Sequence, residues 1–126
     1  MKNSSLKKIL VVEDELPLAL SLKDKFEAAG FDVAIATDGQ KGLEAAKTRK
    51  PDLVLIDILL PKLDGISMAK KINELGLGVK IIFLTNLNDS KHISEAISAE
   101  ATDYLVKADW NINDIVDKVK QKLGLK

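Results

Sequence analysis

The 126-residue chain contains no cysteine, so disulfide bonds and thiolate metal sites are excluded. It has no excess of basic charge, because Lys plus Arg and Asp plus Glu each number 19, and a direct nucleic-acid partner is therefore disfavoured. The N-terminal segment has only four consecutive apolar residues, Ile9–Val12, too few for a signal peptide or a membrane span. These absences favour a protein of the reducing cytoplasm that does not engage a membrane.

The composition is that of a globular domain. Hydrophobic residues make up 46% of the chain and charged residues 30%, which is neither a disordered nor a membrane composition. A chain of this length fits one domain with a sizeable core. The sequence contains no internal repeat, linker or low-complexity tract, so we expect residues 1–126 to form a single domain.

Five short apolar runs alternate with longer amphipathic segments. The runs are KILVV (8–12), DVAIA (32–36), DLVLI (52–56), KIIFL (80–84) and DYLV (103–106). The first, third and fourth are almost wholly aliphatic, as expected of strands that helices cover on both faces. The other two are weaker and suit the edges of a sheet.

The segments between the runs have the spacing of helices. Their apolar positions are Leu18, Leu22 and Phe26; Leu43 and Ala46; Ile66, Ala69 and Ile72; Ile93, Ala96 and Ile97; and Ile112, Ile115, Val116, Val119 and Leu123. Five β-α units predict an α/β fold with a doubly wound parallel sheet. In such sheets ligands bind beyond the carboxyl ends of the strands, so function is expected there.

Acids, a hydroxyl and an ammonium follow four of the predicted strands. These residues are EDE (13–15), Asp57, Thr85 and Lys107. Two carboxylates ~4 Å apart repel each other by roughly 4 kcal/mol at an effective dielectric constant of ~20. A divalent cation such as Mg²⁺ relieves that repulsion, and a lysine opposite the acids suits a phosphate group.

Each of these residues also has a structural explanation. Acids at residues 13–15 precede a helix and are favoured there by its dipole. Thr85 could cap a turn, and Lys107 could simply form an ion pair with Asp57. Because all of them fall on the edge where this fold binds ligands, we favour a functional site.

The ordered motifs resemble those of the response-regulator receiver domains of two-component signalling. The matching segments are ILVVEDE (9–15), PDLVLIDILLPKLDG (51–65), IIFLTN (81–86) and ATDYLVK (101–107). The resemblance extends from about Lys8 to Leu123, and in length the chain is similar to the stand-alone chemotaxis-type regulators. It implies a flavodoxin-like sheet with strand order 2-1-3-4-5.

The resemblance also implies a phosphorylation site. Asp57 would accept a phosphoryl group from a phosphohistidine of a sensor histidine kinase or a phosphotransfer protein. Asp14, Asp57 and the backbone carbonyl of Leu59 would bind Mg²⁺, or Mn²⁺ as an alternative ion, and Glu13 would act through water. Such a domain catalyses its own phosphorylation and dephosphorylation but turns over no external substrate. We therefore do not expect this protein to be an enzyme.

By the same resemblance, Thr85 and Lys107 contact the phosphoryl group, and Thr85 and Tyr104 form the switch. Movement of Thr85 toward the phosphoryl group would leave space into which Tyr104 turns. The face built from the fourth predicted helix, the fifth strand and the last helix would then bind a downstream protein or a second copy of the chain.

The sequence departs from the family pattern at several positions. Ala108 follows Lys107 where the family usually has a proline after a cis peptide bond, and we expect a trans bond here because a cis bond before a non-proline residue costs ~2.5–4 kcal/mol. By the same resemblance, Leu59 and Leu87 occupy positions that tune dephosphorylation, and Asn86 is the nearby polar residue that could offset them. The two leucines cannot orient water, which predicts slow loss of the phosphoryl group.

Two other functional classes fit the sequence less well than a phosphorylated receiver. A phosphatase of similar topology would need a second acid two residues after Asp57, where the chain has Leu59. A constitutive interaction module that no longer uses phosphate would not need the set Asp14, Asp57, Thr85 and Lys107. The sequence thus favours a phosphorylation-controlled binding switch.

Overall fold

Five short strands form one parallel sheet in the computed structural model, which describes residues 6–58, 60, 62–85, 103–106 and 111–125. The strands are β1 (Lys8–Val12), β2 (Asp32–Ala36), β3 (Leu53–Asp57), β4 (Lys80–Thr85) and β5 (Asp103–Val106). Their order in the sheet is β2-β1-β3-β4-β5, and every pair of neighbours is parallel. The predicted fold class and strand order are confirmed, and the two weakest apolar runs do lie at the edges.

Four helices connect or follow the strands in the described part of the chain. They are α1 (Leu16–Ala28), α2 (Gly39–Arg49), α3 (Gly65–Glu74) and α4 (Ile112–Lys122). The helix predicted around Ile93–Ile97 falls outside the described residues. None of the helices in the described ranges is long and apolar enough to cross a membrane.

Successive residues of the central strands point to opposite sides of the sheet, where two separate cores form. One core joins alternate strand residues, such as Val11 and Leu55, to α1 and α4. The other joins the residues between them, such as Val12 and Ile56, to α2 and α3. Burial on both faces explains why these strands read as continuous aliphatic runs rather than as alternating ones.

The strand bounds differ slightly from those predicted at the carboxyl edge. The third strand runs to Asp57 instead of ending at Ile56, and the fourth runs to Thr85 instead of Leu84. The reason is that the backbone of each polar residue continues the parallel ladder, since Asp57 pairs with Leu84 and Thr85 with Val106. Asp57 and Thr85 are therefore the last residues of their strands rather than the first residues of the connections that follow.

Residues 62–64 lead into α3 with a defined geometry. Lys62 adopts a left-handed backbone conformation with φ of 70°, which is unusual for a residue other than glycine. Asp64 is the N-cap of α3, and its side chain accepts hydrogen bonds from the Ser67 N–H and hydroxyl, both at 2.9 Å. These contacts fix the point at which the chain turns into the helix.

The side-chain carboxyl of Asp64 has a lowered pKa. Partial burial raises the pKa of its carboxyl, but hydrogen bonds from Ser67 and from the backbone N–H of Ile66 outweigh that effect and hold the pKa below its usual value. A carboxyl with a lowered pKa stabilises the folded state at neutral pH, and this contribution is lost as the pH falls through the folded-state pKa.

We expect the Asp64→Ala variant to lose about 1 kcal/mol of the free energy of unfolding, because an alanine cannot cap the helix. Asp64→Asn is the matched control, since it keeps the cap and should remain close to wild type. Urea unfolding at neutral and acidic pH measures both effects. The wild type should lose its small advantage over Asp64→Asn on acidification, and an advantage that grows at low pH would contradict the assignment.

Candidate functional site

The pairing of β1 with β3 brings two acids together at the carboxyl edge of the sheet. The register aligns Val11 with Leu55 and Val12 with Ile56. An acid comes next in each case: Glu13 directly follows β1, and Asp57 is the last residue of β3. Because side chains alternate along both strands, these two acids fall on the same side of the sheet. Their proximity is thus a direct consequence of strand register.

Asp14 completes an acidic cluster with these two residues. One carboxylate oxygen from each of Glu13, Asp14 and Asp57 lies within 4.8 Å of the others. Glu13 is only 1% exposed and Asp57 only 7%, whereas Asp14 is exposed to solvent. The cluster therefore has two buried acids and one at the surface, so that solvent reaches it from the Asp14 side.

The backbone around Glu13 holds that side chain in place. The Glu13 N–H donates to the Ala36 carbonyl at 3.0 Å, which extends the pairing of β1 with β2. The Glu13 side chain accepts a hydrogen bond from the Glu15 N–H through Oε2, also at 3.0 Å. Because Glu15 is the N-cap of α1, the carboxylate is fixed by the turn between strand and helix.

Asp57 is held by the start of α3. The Gly65 N–H donates to the Ile58 carbonyl at 2.9 Å. A methyl group added to Gly65 would overlap the backbone carbonyl oxygen of Asp57 and would lie 2.9 Å from the Ile58 Cα. Only glycine allows this close approach of helix and strand. The glycine that ends the segment PDLVLIDILLPKLDG (51–65) thus has a steric cause.

The chemistry of the donor set suits a hard divalent cation. At the separation of the cluster, the repulsion between the two buried carboxylates is roughly 3 kcal/mol at an effective dielectric constant of ~20. Positive charge at the cluster offsets that repulsion, and carboxylate oxygens are the ligands that Mg²⁺ prefers. The predicted ligands Glu13, Asp14 and Asp57 are therefore brought together in an arrangement that could hold such an ion.

The other predicted site residues are described only in part. Thr85 is the last residue of β4, next to Asp57's strand, and Tyr104 lies in β5 opposite Phe83. The side chains of both residues lie outside the described part of the structure, so their predicted roles stay predictions. The described residues also exclude Leu59, Asn86, Leu87, Lys107 and the Lys107–Ala108 peptide bond.

Two residues at the start of α2 were not singled out from the sequence. Asp38 is a buried N-cap, and Gly39 lies against Leu63 in the connection that follows β3. The available signal was the Asp-Gly pair ahead of a helical segment, which indicates a helix start. Nothing in that local pattern indicates which distant segment the helix start will touch.

Comparisons with known proteins agree with this geometry. Residues 9–120 match the protein family described as "Response regulator receiver domain". The chain is 40% identical over 101 residues to the alkaline phosphatase synthesis transcriptional regulatory protein PhoP of Bacillus subtilis, covering 80% of this chain and 42% of PhoP. It is 37% identical over 102 residues to the chemotaxis protein CheY of Thermotoga maritima, covering 80% of this chain and 85% of CheY.

A solved structure gives the same result for the fold. The CheY-like response regulator receiver domain protein of Methanospirillum hungatei superimposes with a TM-score of 0.90 at 32% identity, covering 95% of each chain. The chain spans less than half the length of PhoP and most of the length of the chemotaxis protein. The similarity to the transcriptional regulator thus concerns one part of that protein.

We expect Asp14→Asn to bind Mg²⁺ at least tenfold more weakly, a loss of about 1.4 kcal/mol of binding free energy, because one of the three carboxylate charges of the cluster is removed. The same variant should unfold at a higher temperature than the wild type in the presence of a chelator, since it has less repulsion. Calorimetric titration and thermal unfolding measure the two effects.

The control variant is Asp24→Asn, which removes an exposed acid of α1 outside the cluster and should change neither the Mg²⁺ affinity nor the unfolding temperature. Unaltered Mg²⁺ affinity in Asp14→Asn would contradict the assignment of the cluster as a Mg²⁺ site.

Proposed function

Because the chain belongs to the response-regulator receiver domain family, we propose that it is a phosphorylation-controlled switch with Asp57 as its phosphoryl acceptor. The observation that carries this proposal is the cluster of Glu13, Asp14 and Asp57 within 4.8 Å at the carboxyl edge of the sheet. The proposed donor is a phosphohistidine of a sensor histidine kinase or a phosphotransfer protein, and the proposed location is the cytoplasm.

In the proposed transfer, a carboxylate oxygen of Asp57 attacks the phosphorus atom of the phosphohistidine. The bond between phosphorus and the imidazole nitrogen breaks, its electron pair remains on the nitrogen, and the donor histidine leaves as a neutral imidazole after taking up a proton. The protein mainly orients the acceptor and compensates charge, which is what phosphoryl transfer requires. Burial of Asp57 in a strand end keeps its carboxylate in one orientation.

Glu13, Asp14, Asp57 and the backbone carbonyl of Leu59 are the proposed ligands of Mg²⁺, with Glu13 acting through water. When bound, the ion supplies positive charge for the phosphoryl oxygens. Lys107 is proposed to add a second positive charge, and Thr85 to donate a hydrogen bond. The exposed position of Asp14 supports entry of the ion from solvent at this side of the cluster.

The proposed output is a change in a binding face. A phosphoryl group adds about −1.5 to −2 charges at Asp57, and Thr85 lies at the end of the neighbouring strand. Its movement toward the phosphoryl group would allow Tyr104, on the next strand, to turn inward. The proposed face, formed by the segment around Ile93–Ile97, β5 and α4, would bind a downstream protein or a second copy of the chain.

We expect the wild-type protein to gain the mass of one phosphoryl group when it is incubated with acetyl phosphate and Mg²⁺, because the small donor needs only the acceptor and the ion. Asp57→Asn keeps the shape of the side chain, lacks the nucleophilic oxygen, and should gain nothing. Intact-mass spectrometry makes the comparison. An unmodified wild type would instead favour a constitutive interaction module that phosphate does not control.

We expect the phosphorylated protein to lose its phosphoryl group slowly, because Leu59 and Leu87 cannot orient an attacking water. Leu59→Asn and Leu87→Glu should each accelerate the loss by roughly tenfold, equivalent to ~1.4 kcal/mol of barrier. Phosphate release from purified phosphoprotein in Mg²⁺ gives the rates. Loss within seconds in the wild type, or no acceleration in either variant, would show that these two positions do not set the lifetime.

A further inference from the structure

The first residue of α2 packs against the connection between β3 and α3. A methyl group added to Gly39 would overlap the carbonyl oxygen of Leu63 and would lie 2.7 Å from its carbonyl carbon and 2.8 Å from its Cβ. Helix α2 therefore meets the backbone of Leu63, which cannot rotate away as the end of a flexible side chain can. Glycine is required at this point for a steric reason.

The same connection is held from its other side by β3. The Gly65 N–H donates to the Ile58 carbonyl, and Gly65 itself approaches the Asp57 carbonyl too closely for any side chain. Only one residue separates Leu63 from Gly65. Because close-packed backbone has little room to absorb a shift, a displacement imposed on Leu63 should reach Asp57.

The start of α2 is also fixed and cannot easily retreat. Asp38, its N-cap, is only 6% exposed, and its side chain accepts a hydrogen bond from the Lys41 N–H at 2.8 Å. The Asp38 carbonyl accepts the first helical hydrogen bond from the Gly42 N–H at 2.9 Å. The cap therefore fixes the position of Gly39 relative to the backbone of Leu63.

We propose that Gly39 is a positioning residue for the carboxylate site. It sets the position of Leu63, and through Gly65 it sets the backbone at Asp57 and Ile58. This inference rests on the proposed function, in which Asp57 is a ligand of Mg²⁺ and the phosphoryl acceptor. Gly39 touches neither the ion nor the phosphoryl group and acts only through Leu63.

The direct test compares two glycine replacements in the same helix. Gly39→Ala should weaken Mg²⁺ binding by about tenfold or more, because displacements of about 1 Å at such sites have large effects. Gly42→Ala is the matched control, since its methyl group would meet the movable Met68 Cε at 2.8 Å and the Val12 Cγ1 at 3.0 Å. Both changes replace a buried glycine of α2 with alanine, the residue with the highest helix propensity. The control should stay within about twofold of the wild-type Mg²⁺ affinity.

Two readouts separate positioning from a general loss of stability. Phosphorylation of Gly39→Ala by acetyl phosphate should need more Mg²⁺ but should approach the wild-type rate when Mg²⁺ is saturating. The Gly65 amide should exchange with solvent faster than in the wild type, because its hydrogen bond to the Ile58 carbonyl is disturbed. The exchange measurement by NMR needs neither ion nor phosphoryl donor.

A second pair of variants addresses the case in which Gly39→Ala does not fold. Asp38→Ala removes the cap and should raise the dissociation constant for Mg²⁺ and the exchange rate of the Gly65 amide. Asp38→Asn removes the same charge, keeps the cap, and should restore both values. Equal behaviour of these two variants would overturn the proposal.

The outcomes also distinguish this inference from the proposed function. A folded Gly39→Ala with wild-type Mg²⁺ affinity and Gly65 exchange, or equal effects of the two glycine replacements, would overturn the positioning role. A wild type that binds Mg²⁺ but is never phosphorylated would overturn the proposed function alone. A wild type that binds no Mg²⁺ would also count against that function, and Gly65 exchange in the variants would then decide the positioning role.

Discussion

The parallel pairing of β1 with β3 is the constraint on which the site depends. It places Glu13 and Asp57 on adjacent strand ends and on one side of the sheet. The aliphatic residues before them are buried on both faces, so a slip of one strand would cost little in apolar burial alone. A slip that drew either acid into the core would bury its charge among apolar side chains, at a cost of several kcal/mol. The acids therefore help to set the register that brings them together.

The surroundings of Asp57 are rigid for reasons that lie outside the carboxylates. Gly65 packs against the backbone of Asp57 and Ile58, and Gly39 packs against the backbone of Leu63. A helix cap at Asp64 and a left-handed residue at Lys62 fix the path of residues 62–64 into α3. A site whose ligands repel one another needs such support, because without it the acids would separate and the geometry for an ion would be lost.

The layered architecture could be predicted from the sequence because the signals for strands and helices are local. Aliphatic runs and helical spacing predict each described element, and the polar residues that follow four of the five runs indicate the functional edge. The strand ends were predicted one residue short at Asp57 and Thr85, since a charged or hydroxyl side chain looks like a loop residue although its backbone still pairs.

Two features near the site could not be predicted from the sequence. The contact between Gly39 and Leu63 joins segments that are distant along the chain, and only the packing of α2 beside α3 determines it. The burial difference between Glu13 and Asp14, which are adjacent in sequence, is likewise set by the turn into α1. The motif therefore identified which acids belong together but not which of them faces solvent.

An ion bound at the acidic cluster, as proposed, would couple the stability of the fold to its ionic surroundings. An ion that binds the folded chain and not the unfolded one shifts the folding equilibrium by mass action, by about 2.7 kcal/mol when its free concentration is 100 times its dissociation constant. The unfolded chain cannot hold Glu13, Asp14 and Asp57 within 4.8 Å, because that proximity depends on paired strands. The fraction of molecules that are folded, and with it their resistance to proteolysis, would therefore rise and fall with the supply of the ion.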